Sequence, residues 1–213
     1  MSDPWSERAE LYRTSAAHAS GPDLELVVEW AEGCRTAIDV ATGGGHVARR
    51  LRDAGLEVVS CDPAPGMQPD VICFAEELPF ADASFDLAAT RVAAHHFADP
   101  AQAARELARV AAKRVVVVDT LYQGDDFERA EKIRDPSHVR NYDEAEWRAL
   151  LEDAGLEVEE VRIFDHPVEL VPWLERTGCE GEEADEARRL LAGAGLLDDG
   201  FIGMRRIALR AAH

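Results

Sequence analysis

Hydrophobic and polar positions along this chain switch repeatedly between two periods. Short apolar runs at 36–40, 57–61, 71–74, 85–90, 115–119, 157–164 and 202–211 predict strands. Helical spacing between them predicts helices at 22–31, 46–54, 100–111 and 143–154. The last is the best bounded, with Asp143 at the N-cap and Gly155 at the terminating position. Strands that alternate with helices predict an α/β fold, a doubly wound, mostly parallel sheet with helices on both faces. No repeat, low-complexity tract or linker divides the chain, so 1–213 is predicted to be a single domain. The segment 165–199 reads as an insertion before the last strand, and its Trp173, Leu174, Leu190 and Leu191 are placed to cap a pocket.

One connection breaks the pattern. Between Asp62 and Val71 lie only Pro63-Ala64-Pro65-Gly66-Met67-Gln68-Pro69-Asp70, whereas a parallel crossover normally takes at least about 10 to 12 residues including its helix. A segment this short with three prolines makes no helix. Extended, it still covers roughly 26 Å, against about 17 to 20 Å for a typical strand. An extended crossover without a helix is expected, leaving a thin wall beside any ligand.

Candidate chemistry is concentrated where the first strand ends. Ala37-Ile38-Asp39-Val40 runs into Ala41-Thr42-Gly43-Gly44-Gly45 before the helix at His46. Glycines there let the backbone turn sharply and approach a ligand, and the helix N–H groups point at any anionic part of it. The second strand ends in Asp62, 19 residues after Gly43, where an acid holds ribose hydroxyls. Loop and acid are two halves of one nucleotide-cofactor site. Gly43-x-Gly45-x-x-Ala48 also satisfies the dinucleotide fingerprint, which keeps a nicotinamide enzyme open. Against it, 213 residues leave little room for a second nucleotide half, and no Tyr-x-x-x-Lys pair follows the fourth strand.

Charge and cysteine usage narrow the partners. The net charge of −19, from 42 acids and 23 bases, excludes binding along a phosphate backbone, so no nucleic-acid partner is expected. Acids gather at 157–160 and 180–186, the pattern of solvated faces. The four cysteines show no C-x-x-C or metal-ligand spacing, so no metal is expected. The start of the chain has no charged-then-apolar signal pattern, and a cytoplasmic location is expected. No apolar stretch approaches the ~20 residues that span a bilayer, so no membrane partner is expected.

Farther along, Ala75-Glu76-Glu77-Leu78-Pro79-Phe80 leads into Asp82-Ala83-Ser84-Phe85-Asp86-Leu87, and Arg91 to Pro100 opens a helix. Together with Asp39 to Ala48, Asp62, Val115 to Thr120, Arg134 to Arg140 and the N-terminal Tyr12 to Ala19, this resembles the class I S-adenosylmethionine-dependent methyltransferases. The likeness is to the small-molecule branch, methyltransferase type 11, similar to the ubiquinone/menaquinone-biosynthesis methyltransferases. It implies a Rossmann-like seven-stranded sheet with an antiparallel C-terminal strand, with S-adenosyl-L-methionine as cofactor and S-adenosyl-L-homocysteine as product. It places Gly43, Gly44 and Gly45 beneath the methionine portion and Asp39 near its amine, with Ala41 and Thr42 also among the cofactor-binding residues. Asp62 falls at the ribose with Pro63 beside it among the cofactor-binding residues, Glu76 and Glu77 at the adenine, and Arg91 at a carboxylate, either the cofactor's or another. Phe74 stands where the family often has an acid, which removes a polar contact to the adenine and leaves stacking.

The resemblance also makes 1–30 a lid and first helix, with Tyr12 and His18 facing the substrate. His138, in the connection after the fifth strand, is a third substrate-facing candidate. His95 and His96 lie where the fourth strand gives way to a helix, on the ligand side of such sheets, and are candidate general bases. The implied partner is a small-molecule acceptor with an O, N or C nucleophile. The chain is expected to be a monomer or a homodimer, its long final strand being a candidate dimer edge. Plainer roles compete at each position: strand-ending acids are good turn formers, and histidines pack and cap. Two functions therefore stand: a working methyltransferase, or a non-catalytic, repurposed member of the fold with weakened cofactor binding.

Overall fold

Three strands that end in acids, Asp39-Val40, Asp62 and Asp119-Thr120, deliver those acids to one edge of a mixed sheet. The computed structural model describes residues 4–213; the first three residues of the expected lid lie outside them. The strands are β1 (Thr36–Val40), β2 (Glu57–Asp62), β3 (Val71–Ile72), β4 (Phe85–Arg91), β5 (Ala111–Thr120), β6 (Glu157–Asp165), β7 (Val168–Glu169), β8 (Leu197–Asp198), β9 (Phe201–Ile202) and β10 (Arg205–Ala212). Seven of them form a sheet in the order β3-β2-β1-β4-β5-β10-β6. β1 to β5 run parallel, and β10 is antiparallel to β5 and β6. The strand order reverses between β1 and β4, which opens a crevice at their C-terminal ends. β10 is hydrogen-bonded on both sides, so the final strand is not the dimer edge expected of it.

Helices cover both faces, and the period-2 alternation of the strands says how. The helices are α1 (Pro4–Arg13), α2 (Ala16–Ala19), α3 (Pro22–Trp30), α4 (His46–Asp53), α5 (Pro100–Val110), α6 (Asp125–Arg134), α7 (Glu144–Asp153), α8 (Leu170–Glu175) and α9 (Gly181–Gly193). Ala37, Leu87, Val116 and Val118 point to Leu24, Val27, Trp30 and Leu51 of α3 and α4. Their neighbours Ile38, Ala88, Val115 and Val117 point the other way, to Leu107, Trp147 and Leu151 of α5 and α7. Asp143 accepts from the Glu146 backbone at 2.8 Å and Glu146 accepts in return from Asp143 at 3.0 Å, a full capping box.

The short crossover has no helix, only a 3-10 turn at Pro65–Met67. The expected thin wall is not found, because α1 fills the place. Gly66 donates to Ser6 Oγ at 2.7 Å, and Arg13 donates to the Gly66 carbonyl at 3.0 Å. A Cβ on Gly66 would stand 2.5 Å from the Cα of Ser6. Ala9, Ala64 and Met67 bury one another there, with Trp5 and Tyr12 alongside.

The cap differs in extent from 165–199. It recruits α6 from the connection after β5, and α6 packs Phe127 and Ala130 against Trp173, Leu174, Ala187 and Leu191. It also continues through β9: Phe201–Ile202 pairs with β7 and β8 in a small three-stranded sheet, so the last strand of the main sheet starts at Arg205 rather than 202. Ile202 is fully buried in the cap and Gly203 donates to the Leu196 carbonyl at 2.7 Å, which turns the chain before β10.

Candidate active site

The crevice at the ends of β1, β2, β4 and β5 opens into a cavity of about 590 Å³, closed by α1 and by the cap. Volume and position are those of a small-molecule site.

One end is built on the glycine loop. Gly43 and Gly45 take φ of +50° and +74°, turning the chain from β1 into α4. Gly44 has no room for a side chain, since a Cβ would stand 2.7 Å from the Tyr12 carbonyl oxygen. Asp39 is buried and accepts from Thr42 Oγ at 2.5 Å and the Ala48 N–H at 3.0 Å. Burial pushes its carboxyl up to about 6, with Asp62 adding to the rise. Asp62 accepts from the Gly43 N–H and the Ala64 N–H, each at 2.9 Å, and so ties the loop to the short crossover. Phe74 lines this end and is 65% exposed, leaving a ring face free.

Three histidines meet next to the second end. His95 Nδ1 lies 2.5 Å from Asp119 Oδ1, and Asp119 Oδ2 accepts the backbone N–H of His95 at 2.7 Å. Both groups are buried. Burial opposes protonation of His95, but the charge and hydrogen bond of Asp119 outweigh it, and its pKa is raised. The carboxylate fixes the proton on Nδ1, while Nε2 makes no hydrogen bond among the described residues. His96 donates from Nδ1 to the Ser137 carbonyl at 3.1 Å and is held neutral by burial and by His95, its pKa well below the ordinary histidine value. Trp5 packs edge-on against His96, with 4.5 Å between centroids.

Arg91 is buried at the end of β4 and shares Asp23 with Arg206: Arg91 Nε and Arg206 Nη1 reach Asp23 Oδ2 at 2.8 Å and 2.7 Å. Arg91 Nη1 donates to the His18 carbonyl at 3.0 Å, and its Nη2 has no partner among the described residues. From the cap side come Val168, Trp173 and Arg176, with His166, Met204 and Arg206. Burial lowers His166 to about 4, with Arg206 adding to it, so its ring is neutral.

Of the residues singled out from the sequence, Asp39, Ala41, Thr42, Gly43, Gly44, Asp62, Pro63, Glu76, Glu77, Arg91, His95, His96, Tyr12 and His18 all line this cavity. Two do not. Gly45 lies behind the loop as the N-cap of α4. His138, expected to face the substrate, is 1% exposed beneath His95, held through Nε2 by Glu128 at 3.1 Å. Glu128 also accepts from Asn141, so the histidine is fixed on its inner side. Sequence reasoning missed Asp119, Trp5, Arg134, His166, Arg176 and Arg206. Asp119 alone had a local signal, a strand-ending acid like Asp39 and Asp62.

Fold and site together define a Rossmann-like methyltransferase architecture, with glycine loop and strand-ending acids around one cavity at the switch point. The family model described as Methyltransferase domain matches residues 38–118. The Bacillus subtilis protein named as the uncharacterised methyltransferase YcgJ is 32% identical over 204 residues, covering 84% of this chain and 80% of its own. The chain belongs to the class I methyltransferases of type 11. The crystal structure of YcgJ superposes with a TM-score of 0.81 at 26% identity, covering 89% of this chain and 97% of that one. A geranyl diphosphate methyltransferase in complex with GPP and sinefungin shares the fold, with a TM-score of 0.64 at 13% identity, covering 89% of this chain and 76% of that one.

Proposed function

We propose that the protein transfers a methyl group from S-adenosyl-L-methionine to an oxygen or nitrogen nucleophile of a small molecule. The observation that carries this reading is the continuity of one cavity from the glycine loop to the His95–Asp119 pair.

The residues present fit this cofactor. Arg91 Nη2 is a buried donor without a partner among the described residues, suited to a carboxylate, and Asp39 is a buried acid whose raised pKa an ammonium would reverse. Asp62 stands at the end of β2 for the ribose, and Phe74 offers a ring face to the adenine. The bound cofactor supplies an activated methyl group on a sulfonium. The protein's part is then to align, to exclude water and to handle a proton.

His95 Nε2 takes the proton from an O–H or N–H nucleophile. Asp119 holds the ring in the required tautomer and stabilises the imidazolium that results. Trp5, Tyr12 and Trp173 close the cavity above this point. The test is release of S-adenosylhomocysteine against a panel of phenols, alcohols and amines. Acceptor-dependent release that falls in His95→Gln supports the reading. Release unaffected by His95→Gln removes the base, and no cofactor binding at all favours a repurposed fold.

A further inference from the structure

The second end of the cavity carries a guanidinium that no carboxylate pairs with among the described residues. Among the described residues Arg176, at the C-terminal end of α8, makes no hydrogen bond or ion pair through its guanidinium, although it is mostly buried and lines the cavity. In a chain of net charge −19 carboxylates are abundant, and nearly every other interior arginine has one. Arg91 and Arg206 hold Asp23, and Arg134 holds Glu131 at 3.4 Å and stacks on Trp173 at 4.6 Å. Burial lowers the pKa of Arg176 and neighbouring Arg134 lowers it further, outweighing Tyr12 and Glu131, which act the other way; Glu131 is itself committed to Arg134. Leaving a cation desolvated and unpaired costs stability unless a ligand completes it.

A second unpaired donor belongs to the same wall. The Tyr12 hydroxyl makes no hydrogen bond among the described residues, lines the cavity, and lies within electrostatic range of Arg134, Arg176 and Arg8, with Asp135 the one acid among its charged neighbours. The apolar part of that wall comes from Trp5, Val168, Trp173 and Met204, and the two acids that line the cavity there are engaged, Glu131 by Arg134 and Asp135 by Ser137.

We propose that the methyl acceptor is an oxyanion, a small molecule with an apolar body whose carboxylate or phosphate is gripped by Arg176 and Tyr12 while its nucleophile faces His95. This rests on the methyltransferase reading and adds the acceptor's charge to it. Arg176 selects through a charge-assisted, potentially bidentate pair, and a neutral ester or amide of the same shape leaves that guanidinium unmatched.

The experiment is calorimetry on the full-length protein, first with S-adenosylhomocysteine and then, in the saturated protein, with 3-phenylpropionate, phenyl phosphate and the neutral 3-phenylpropionamide. At least one anion is expected to bind about tenfold more tightly than the amide, the scale of one charge-assisted hydrogen-bonded pair. Arg176→Met loses that preference and Arg176→Lys keeps part of it. Arg189→Met, at an exposed site on α9, retains it in full, and S-adenosylhomocysteine affinity is the same in all four proteins. Which anion wins tells carboxylate from phosphate. Equal binding of acid and amide, no saturable binding of either anion, or a preference that survives Arg176→Met overturns the proposal. So does a tenfold loss of S-adenosylhomocysteine affinity in Arg176→Met, which would assign the arginine to the cofactor. Failure of the first titration in the wild type sinks the methyltransferase reading itself, and is read separately.

Discussion

His95 and Asp119 are joined twice: ring Nδ1 to Oδ1 at 2.5 Å, and backbone N–H to Oδ2 at 2.7 Å. One carboxylate therefore positions both the chain and the imidazole at the mouth of β4, with the ring's free nitrogen toward the cavity. A base held this way has a raised pKa, so it is ready to accept a proton only once pH exceeds that value. The rate is expected to fall on the acid side, with its limb above the ordinary histidine value near 6.5. Asp119→Asn should move that limb to lower pH and reduce kcat on the order of a hundredfold, a common size for lost general-base catalysis. Cofactor affinity should hold within about twofold, since neither group is on the glycine loop. A pH–rate profile of both proteins checks this.

Asp39 predicts a trade between stability and binding. Its pKa is raised from 3.8 to about 6 in the folded protein, so the folded chain prefers the protonated form. That contribution is present below about pH 4 and is lost as pH rises toward 6. At pH 8 the apoprotein therefore bears a buried, ionised carboxylate. Asp39→Asn, which keeps an oxygen for Thr42 and Ala48, should stabilise the apoprotein at pH 8 by up to about 3 kcal/mol. The same variant should bind S-adenosylmethionine more weakly, because the ammonium loses its counter-charge. Denaturant titrations at two pH values, beside calorimetry, read both effects.

Gly66 tests how α1 repairs the shortened crossover. An alanine there would place its Cβ 2.5 Å from Ser6 Cα and 2.8 Å from the Ser6 carbonyl oxygen, backbone that cannot give without shifting α1. Gly66→Ala should release α1, and with it Trp5 and Tyr12 from the cavity wall. Amide exchange within residues 5–13 is expected to accelerate while the strands of the main sheet stay protected. If exchange there is unchanged, the helix does not depend on this contact.

The cofactor half of the site was legible in the sequence because its parts are local. A strand end, a glycine turn and the next strand's acid are read within 26 residues, from Ala37 to Asp62. The acceptor half is assembled from the ends of distant elements: Asp119 meets His95 across 24 residues, and Arg206 meets Asp23 across 183. Such pairs have no periodicity. His138 misled because its flanking Asp135-Pro136-Ser137 carried the family signal, whereas Glu128 on α6, ten residues earlier, takes the ring inward. The boundary at 202 failed for a similar reason: Phe201-Ile202 and Arg206 to Leu209 are equally strand-like, and only the turn at Gly203 assigns them to different sheets.

The central claim is that the Asp39, Gly43 and Asp62 cradle binds an S-adenosyl cofactor, and calorimetry with S-adenosylhomocysteine on the wild type and Asp62→Ala tests it most directly. One-to-one binding in the micromolar range, weakened at least about tenfold in Asp62→Ala, is the predicted result. No detectable binding by a folded wild-type protein would contradict it, and would mean that the short crossover has cost the fold its cofactor.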